Sequence, residues 1–177
     1  MKPEIIDNFL DKRSFLNLQE QLFGNSFPWF FYDAIDYEDD ETKFQFAHVF
    51  YLGVTWNSPQ NSLLEPILQK MQPVSIFRIK ANLNPKTSDI VENLFHTDMT
   101  YQIPAEKQLK QWSTSILYMN TNNGYTKFED GTKVESVANR IVTFPANMKH
   151  TGTSCTDQKR RIVINFNWFL NETELAN

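Results

Sequence analysis

His96-Thr97-Asp98, a lone histidine at His150 and the adjacent Arg160 and Arg161 carry the most chemistry in this chain. Two imidazoles and one carboxylate can take one face of an octahedral metal and leave the other positions open. Non-haem Fe(II) centres are built this way, and Zn(II) also accepts two histidines, an aspartate and a water. The chain has 3 histidines, so this set would use two of them. An arginine nearby matters because such an iron commonly works with an anionic organic co-substrate, and a guanidinium holds a carboxylate bidentately.

These ligands need elements to position them. Strand alternation would point His96 and Asp98 to one face. Residues Ile90–Thr97 read as a short strand carrying that pair near its end. His150 must come from another strand or its edge. It follows Phe144-Pro145-Ala146 and precedes Thr151-Gly152, a tight turn where Gly152 would permit close backbone approach.

The rest of the chain is read from periodicity and punctuation. Asp11 can cap a helix to Leu22 with Phe15, Leu18, Gln19 and Leu22 on one face and Gly24 at its end. Phe44–Trp56 reads as an aromatic strand, and His48 within it as a hydrogen-bonded structural residue. Ser58 and Pro59 open a second helix that ends before Pro73, although Pro66 would fall inside it. From Val74 onward the pattern is β: Val74–Leu83, Ser113–Met119, Tyr125–Glu129, Thr132–Val137, Arg140–Phe144 and Arg161–Leu170. Asp130-Gly131 marks a hairpin, and Asn120 to Gly124 a turn. Two or three helices before about eight short strands predict a mainly β (α+β) fold. The expected architecture is a jelly roll or β-sandwich with helices on one side: a single domain over 1–177, with helical support over 1–73 and the core over 74–170.

Composition narrows the classes. The 177 residues suit one domain, and 41% hydrophobic with 14% aromatic residues suits a β-rich core. Net charge is −4, which argues against a nucleic-acid face. The one cysteine, Cys155, forms no intramolecular disulfide and points to a reducing compartment. Glu4, Asp7 and Asp11 break any basic-then-apolar leader, and no apolar run approaches a membrane span. The expectation is a soluble cytoplasmic protein. The acidic stretch Asp36 to Glu41 is a solvated loop or a lid over the site, and Tyr101 to Lys110 a second loop near it.

The order of motifs is more specific than any one of them. Phe95-His96-Thr97-Asp98, Ile116-Leu117-Tyr118-Met119-Asn120, Gly124-Tyr125-Thr126-Lys127-Phe128, Arg140-Ile141-Val142-Thr143-Phe144-Pro145, His150-Thr151-Gly152 and Arg161-Ile162-Val163-Ile164-Asn165-Phe166 follow one another. Together, over roughly Phe77 to Phe169, they resemble the prolyl-4-hydroxylase-like 2-oxoglutarate- and Fe(II)-dependent dioxygenases. That resemblance implies a double-stranded β-helix (jelly roll) core. It implies Fe(II) on His96, Asp98 and His150, with 2-oxoglutarate and O2 as co-substrates. It places the far carboxylate of 2-oxoglutarate on Arg161, with Arg160 as the rival, and a hydrogen bond from Tyr118, which reads equally as a core tyrosine. Asp98 favours hydroxylation, since halogenating relatives lack this carboxylate. Asn123-Gly124 stands where many relatives have two glycines.

The implied reaction converts 2-oxoglutarate to succinate and CO2 while a C–H bond of a peptidyl residue, proline among them, or of a small molecule is hydroxylated. Two other readings stay open: a non-catalytic β-sandwich binding module with structural histidines, and a demethylase acting on nucleic-acid bases, which the acidic balance disfavours. The substrate and oligomeric state have no motif.

Overall fold

The computed structural model describes residues 2–35, 43–99 and 111–169. The acidic segment 36–41 and the loop 101–110 lie outside the described residues. Four strands fall in the part expected to be helical support: β1 (Glu4–Ile6), β2 (Phe30–Tyr32), β3 (Gln45–Leu52) and β4 (Thr55–Trp56). The helices there are α1 (Lys12–Phe23) and α2 (Glu65–Met71), with a 3-10 turn over Asn61–Leu64. Then come β5 (Ser75–Pro85), β6 (Trp112–Tyr118), β7 (Tyr125–Phe128), β8 (Lys133–Glu135), β9 (Ile141–Pro145), β10 (His150–Gly152) and β11 (Arg160–Phe169).

Helix α1 forms as its sequence dictates. The Asp11 carboxylate accepts from the amides of Arg13 and Ser14, satisfying two of the helix's first N–H groups. Phe15, Leu18 and Leu22 are buried on one face, each worth roughly 1.5–3 kcal/mol of transfer free energy. Gly24 ends it in an extended conformation, φ −66°. The second helix starts later than expected, because Pro66 sits in its first turn and Gln72, at φ 48°, closes it. Proline is tolerated there because its missing N–H has no partner in any first turn. The aromatic strand expected over 44–56 is two strands, with Gly53 at φ 66° between them.

Two antiparallel sheets make the core. The larger runs β1-β9-β6-β11-β5-β3-β2, with β4 on β3, and the smaller runs β10-β7-β8. On one face of the large sheet, Ile79, Ala81, Leu83, Ile162, Ile164 and Phe166 pack against Leu18 and Leu22 of α1 and Leu64 and Ile67 around α2. On the other face, Tyr118, Val142, Phe144 and Val163 meet Phe128 and Val134 of the small sheet. This is a jelly roll with its helices on one side.

Residues 90–97 do not form the expected regular strand. Only Glu92↔Thr153 and His96↔His150 pair there. Four steps from Glu92 to His96 face three from Thr153 to His150, so the segment carries one extra residue and bulges beside β10. Among the described residues no helix is long and apolar enough to cross a membrane.

The N-terminal segment is tied to this core through Asn139, which adopts a left-handed φ of 63°. Its side chain donates to the Leu10 carbonyl at 2.8 Å and accepts from the Leu10 amide at 2.9 Å. Asn139→Ala removes both bonds from a buried site and puts a Cβ-bearing residue without a local hydrogen bond in that conformation. It should lower unfolding free energy by about 2 kcal/mol or more in urea titrations, with Asn139→Gly losing less.

Candidate metal centre and its chamber

His96, Asp98 and His150 come together: their ligand atoms all lie within 4.8 Å of one another. The two histidines are opposite each other across the bulged pairing, each backbone amide donating to the other's carbonyl at 3.0 Å. Their rings stand 4.9 Å apart. His96 Nδ1 lies 3.0 Å from the Leu94 carbonyl and His150 Nδ1 lies 3.2 Å from the Met148 carbonyl. A carbonyl only accepts, so each Nδ1 carries the proton and each Nε2 the lone pair that a metal requires. Burial pushes His150 down to about 4, against the opposing pull of Asp98, so it is neutral at physiological pH.

Asp98 is held from both sides. Arg78 reaches its Oδ1 at 3.0 Å and the Asn167 amide donates to Oδ2 at 3.0 Å. Arg78 Nε also donates to Asn167 Oδ1, closing a ring of three side chains. Burial alone would raise the carboxyl group. The Arg78 guanidinium is the strongest opposing influence, and Asp98 is held well below the usual carboxylate range. Two imidazoles that turn Nε2 toward one another's side of the cluster and one ionised, oriented carboxylate fit a divalent metal such as Fe(II). Asp98 owes its position to this ring rather than to strand alternation, since it lies beyond the bulge.

The three groups line a cavity of about 420 Å³ that also contains Arg161. The adjacent arginines diverge, as alternation requires. Arg161 is buried, with Nε donating to Ser136 at 2.9 Å and the guanidinium 5.6 Å from the Tyr118 ring centroid. Among the described residues no carboxylate pairs with it. Arg160, the rival, turns away from the cavity: it donates to the Phe23 carbonyl at the end of α1 and lies over the Phe23 ring.

Gly124 makes room for Arg161. A Cβ there would lie 2.6 Å from the Ser154 carbonyl oxygen and 2.8 Å from Arg161 Cδ. At Gly152, where close approach was expected, a Cβ would make only an ordinary 3.7 Å contact. Tyr118 is fully buried and its hydroxyl donates a hydrogen bond to Thr126 Oγ1 at 2.8 Å; burial pushes it up to about 12. Thr126 lines the cavity and Tyr118 does not. His48 is structural, between the Pro28 carbonyl and the Ser58 hydroxyl.

Sequence reasoning missed the cavity's polar wall. Arg78, Lys80, Asn82 and Asn84 face inward from β5, and Asn165 faces inward from β11. The signal was present as Arg78-Ile79-Lys80-Ala81-Asn82-Leu83-Asn84, a strict alternation of polar and apolar residues. Such a pattern ordinarily marks a solvent-facing strand; here helices cover the apolar side.

Lys80 lies inside this wall, and burial first, then Arg78, lowers it to about 8. An unfolded lysine titrates near 10.5, so below pH 8 both states carry the proton and the folded state bears the full burial penalty. Between pH 8 and 10.5 the unfolded chain binds more protons, and stability rises with pH. Lys80→Met should therefore melt higher than the native protein at pH 7. The gap should close as pH rises through that window, read by thermal melts across a pH series.

No protein-family model and no curated protein sequence matches the chain. Solved structures do match. A prolyl hydroxylase from Trichoplax adhaerens, in complex with a hypoxia inducible factor oxygen degradation domain peptide, gives a TM-score of 0.65 at 13% identity, over 99% of this chain and 87% of that one. A 2OG-Fe(II) oxygenase family oxidoreductase from Burkholderia pseudomallei gives 0.68 at 12% identity, over 96% and 86%. The non-haem alpha-ketoglutarate-dependent carbocyclase of nogalamycin biosynthesis gives 0.66 at 11% identity, over 98% and 85%. The chain has the fold of these oxygenases.

Proposed function

We propose that this double-stranded β-helix is an Fe(II)- and 2-oxoglutarate-dependent dioxygenase that hydroxylates a C–H bond of a peptidyl residue or small molecule. One observation carries the reading: His96, Asp98 and His150 share a cavity with a buried arginine, Arg161, that no described carboxylate neutralises. A buried guanidinium without an anion is costly, and a carboxylate ligand offsets that cost. Fe(II) with 2-oxoglutarate and O2 supplies the oxidising chemistry, coupling formation of succinate and CO2 to hydroxylation.

The chain's own residues do the positioning. His96 and His150 offer Nε2, and Asp98 offers a carboxylate oxygen that Arg78 and Asn167 keep ionised and oriented. Arg161 takes the far carboxylate of the co-substrate, with Ser136 setting its approach. Tyr118 acts one step removed, orienting Thr126 at the cavity wall. A relative seen with a peptide and another named for nogalamycin biosynthesis support both substrate classes. A lone buried thiol, Cys155, fits a reducing, cytoplasmic setting.

Anaerobic addition of Fe(II) and 2-oxoglutarate should produce a visible metal-to-ligand charge-transfer band, absent from His96→Ala and Asp98→Ala. A folded native protein with no band sinks the proposal and leaves a binding module. Arg161→Ala should raise the 2-oxoglutarate needed for half-maximal band on the order of 10²-fold, with Fe(II) binding retained. Arg160→Ala should leave that requirement unchanged.

A further inference from the structure

Along the paired strands β5 and β11, the inward positions form levels. Arg161 stands opposite Asn84, Val163 opposite Asn82, Asn165 opposite Lys80, and Asn167 opposite Arg78. Arg78 and Asn167 grip Asp98, so the metal ligands belong to that end. Successive inward residues lie about 7 Å apart along a strand. Lys80 is thus one level from the residues that hold Asp98, and two levels from Asn84 beside Arg161. An anion spanning from the metal to Arg161 puts its two carboxylates at the ends of that span, so Lys80, between them, faces neither charge directly.

Three observations show a second polar subsite at this level. First, Lys80 forms no ion pair among the described residues; its Nζ stands 5.0 Å from the ring centroid of Tyr32, which also lines the cavity. Second, Asn165 Oδ1, on the Lys80 level, and Asn82 Oδ1, one level toward Arg161, are buried and accept no hydrogen bond among the described residues. Native structures leave few such atoms unpaired, and a polar ligand is one partner that satisfies them. Third, the charges do not cancel. The described lining residues hold three cations, Arg78, Lys80 and Arg161, against one carboxylate, Asp98, an excess of two positive charges. A divalent metal and a dianionic co-substrate add nothing to that excess. The whole chain carries −4, so the positive chamber is local.

We propose that the oxidised substrate is a small polar anion, whose carboxylate or phosphate pairs with Lys80 beside Tyr32 and whose hydroxyl or amine groups hydrogen-bond Asn82 and Asn165. This rests on the dioxygenase reading above and narrows its substrate. A neutral prolyl side chain would leave Lys80 and both amides unpaired next to the metal. Truncated or mismatched polar partners in a buried site are strongly discriminated against.

The test uses protein loaded anaerobically with Fe(II) and 2-oxoglutarate, titrated with gluconate, glucose 6-phosphate and glucose, with binding read by calorimetry. The two anions should bind at least ~10-fold tighter than glucose, the loss of a charged hydrogen-bond partner being worth about 1.5–3 kcal/mol. If one of them binds, it identifies carboxylate or phosphate as the group. Lys80→Met should erase the preference, and Asn165→Leu should weaken both anions, with the charge-transfer band and its 2-oxoglutarate requirement unchanged. The proposal is overturned if neither anion outbinds glucose, if Lys80→Met keeps the preference, or if Lys80→Met raises the 2-oxoglutarate requirement instead. Tighter binding of N-acetylproline methylamide than of either anion also overturns it. The band is scored separately: its absence in native protein would defeat the dioxygenase reading, while the Lys80-dependent anion preference would still be decided by the titrations.

Discussion

The antiparallel pairing of β5 with β11 is the constraint on which the rest of the molecule depends. It runs from Arg160 opposite Pro85 to Phe169 opposite Ser75, through the middle of the large sheet. Strand alternation divides each of these chains into two faces. Ile79, Ala81 and Leu83, with Ile162, Ile164 and Phe166, turn to α1 and α2 and form the main core. Arg78, Lys80, Asn82 and Asn84, with Arg161, Asn165 and Asn167, turn to the barrel interior. A slip of one residue in either strand would send the charges into the helical core and the aliphatic residues into the cavity. The same register therefore sets the stability of the fold and the chemistry of the chamber.

The two faces differ in energetic character. The helix-covered face gains transfer free energy from each buried aliphatic side chain. The chamber holds charged and amide groups at a cost, and that cost is met unevenly. Asp98 and Arg78 offset each other at 3.0 Å, with Asn167 satisfying the second carboxylate oxygen and Thr114. Arg161 has one hydroxyl partner, and Lys80 has an aromatic ring. Binding sites commonly keep such unsatisfied polarity, because a ligand that supplies the missing partners binds and orients in the same step.

The grouping of His96, Asp98 and His150 depends on a departure from regular structure. A regular strand over 90–97 would pair residue for residue with β10. The extra residue between Glu92 and His96 bends the segment, sets His96 opposite His150 and lets the chain turn so that Asp98 meets Arg78. Bulges recur beside active sites because they re-aim a side chain without ending the pairing. The histidines' Nδ1 contacts, each to the carbonyl two residues earlier, then fix which ring nitrogen is turned away from the backbone.

The sequence by itself determined the local features. The Asp11 cap and the apolar stripe of α1, the Asp130-Gly131 hairpin and the late strands are decided within a few residues by hydrogen-bonding capacity, backbone freedom or spacing, and the order of motifs along the chain singled out His96, Asp98 and His150, which the fold brings together. The sequence also placed Arg160 and Arg161 on opposite faces, since adjacent strand residues diverge, and the burial of Arg161 with Arg160 packed on Phe23 follows that rule. Only the tertiary structure decided the remainder. An alternating strand reads the same whether its polar side meets water or a closed chamber, so the inward face of β5 was invisible until the helices were seen to cover the other side. Gly124 rather than Gly152 is the glycine that must stay small, because the clash involves Ser154 and Arg161, thirty or more positions away in the chain. Tyr118 spends its hydroxyl on Thr126 because the small sheet closes over it. The covering of β5 and the crowding at Gly124 are contacts between segments distant in sequence, and such contacts leave no trace in local pattern.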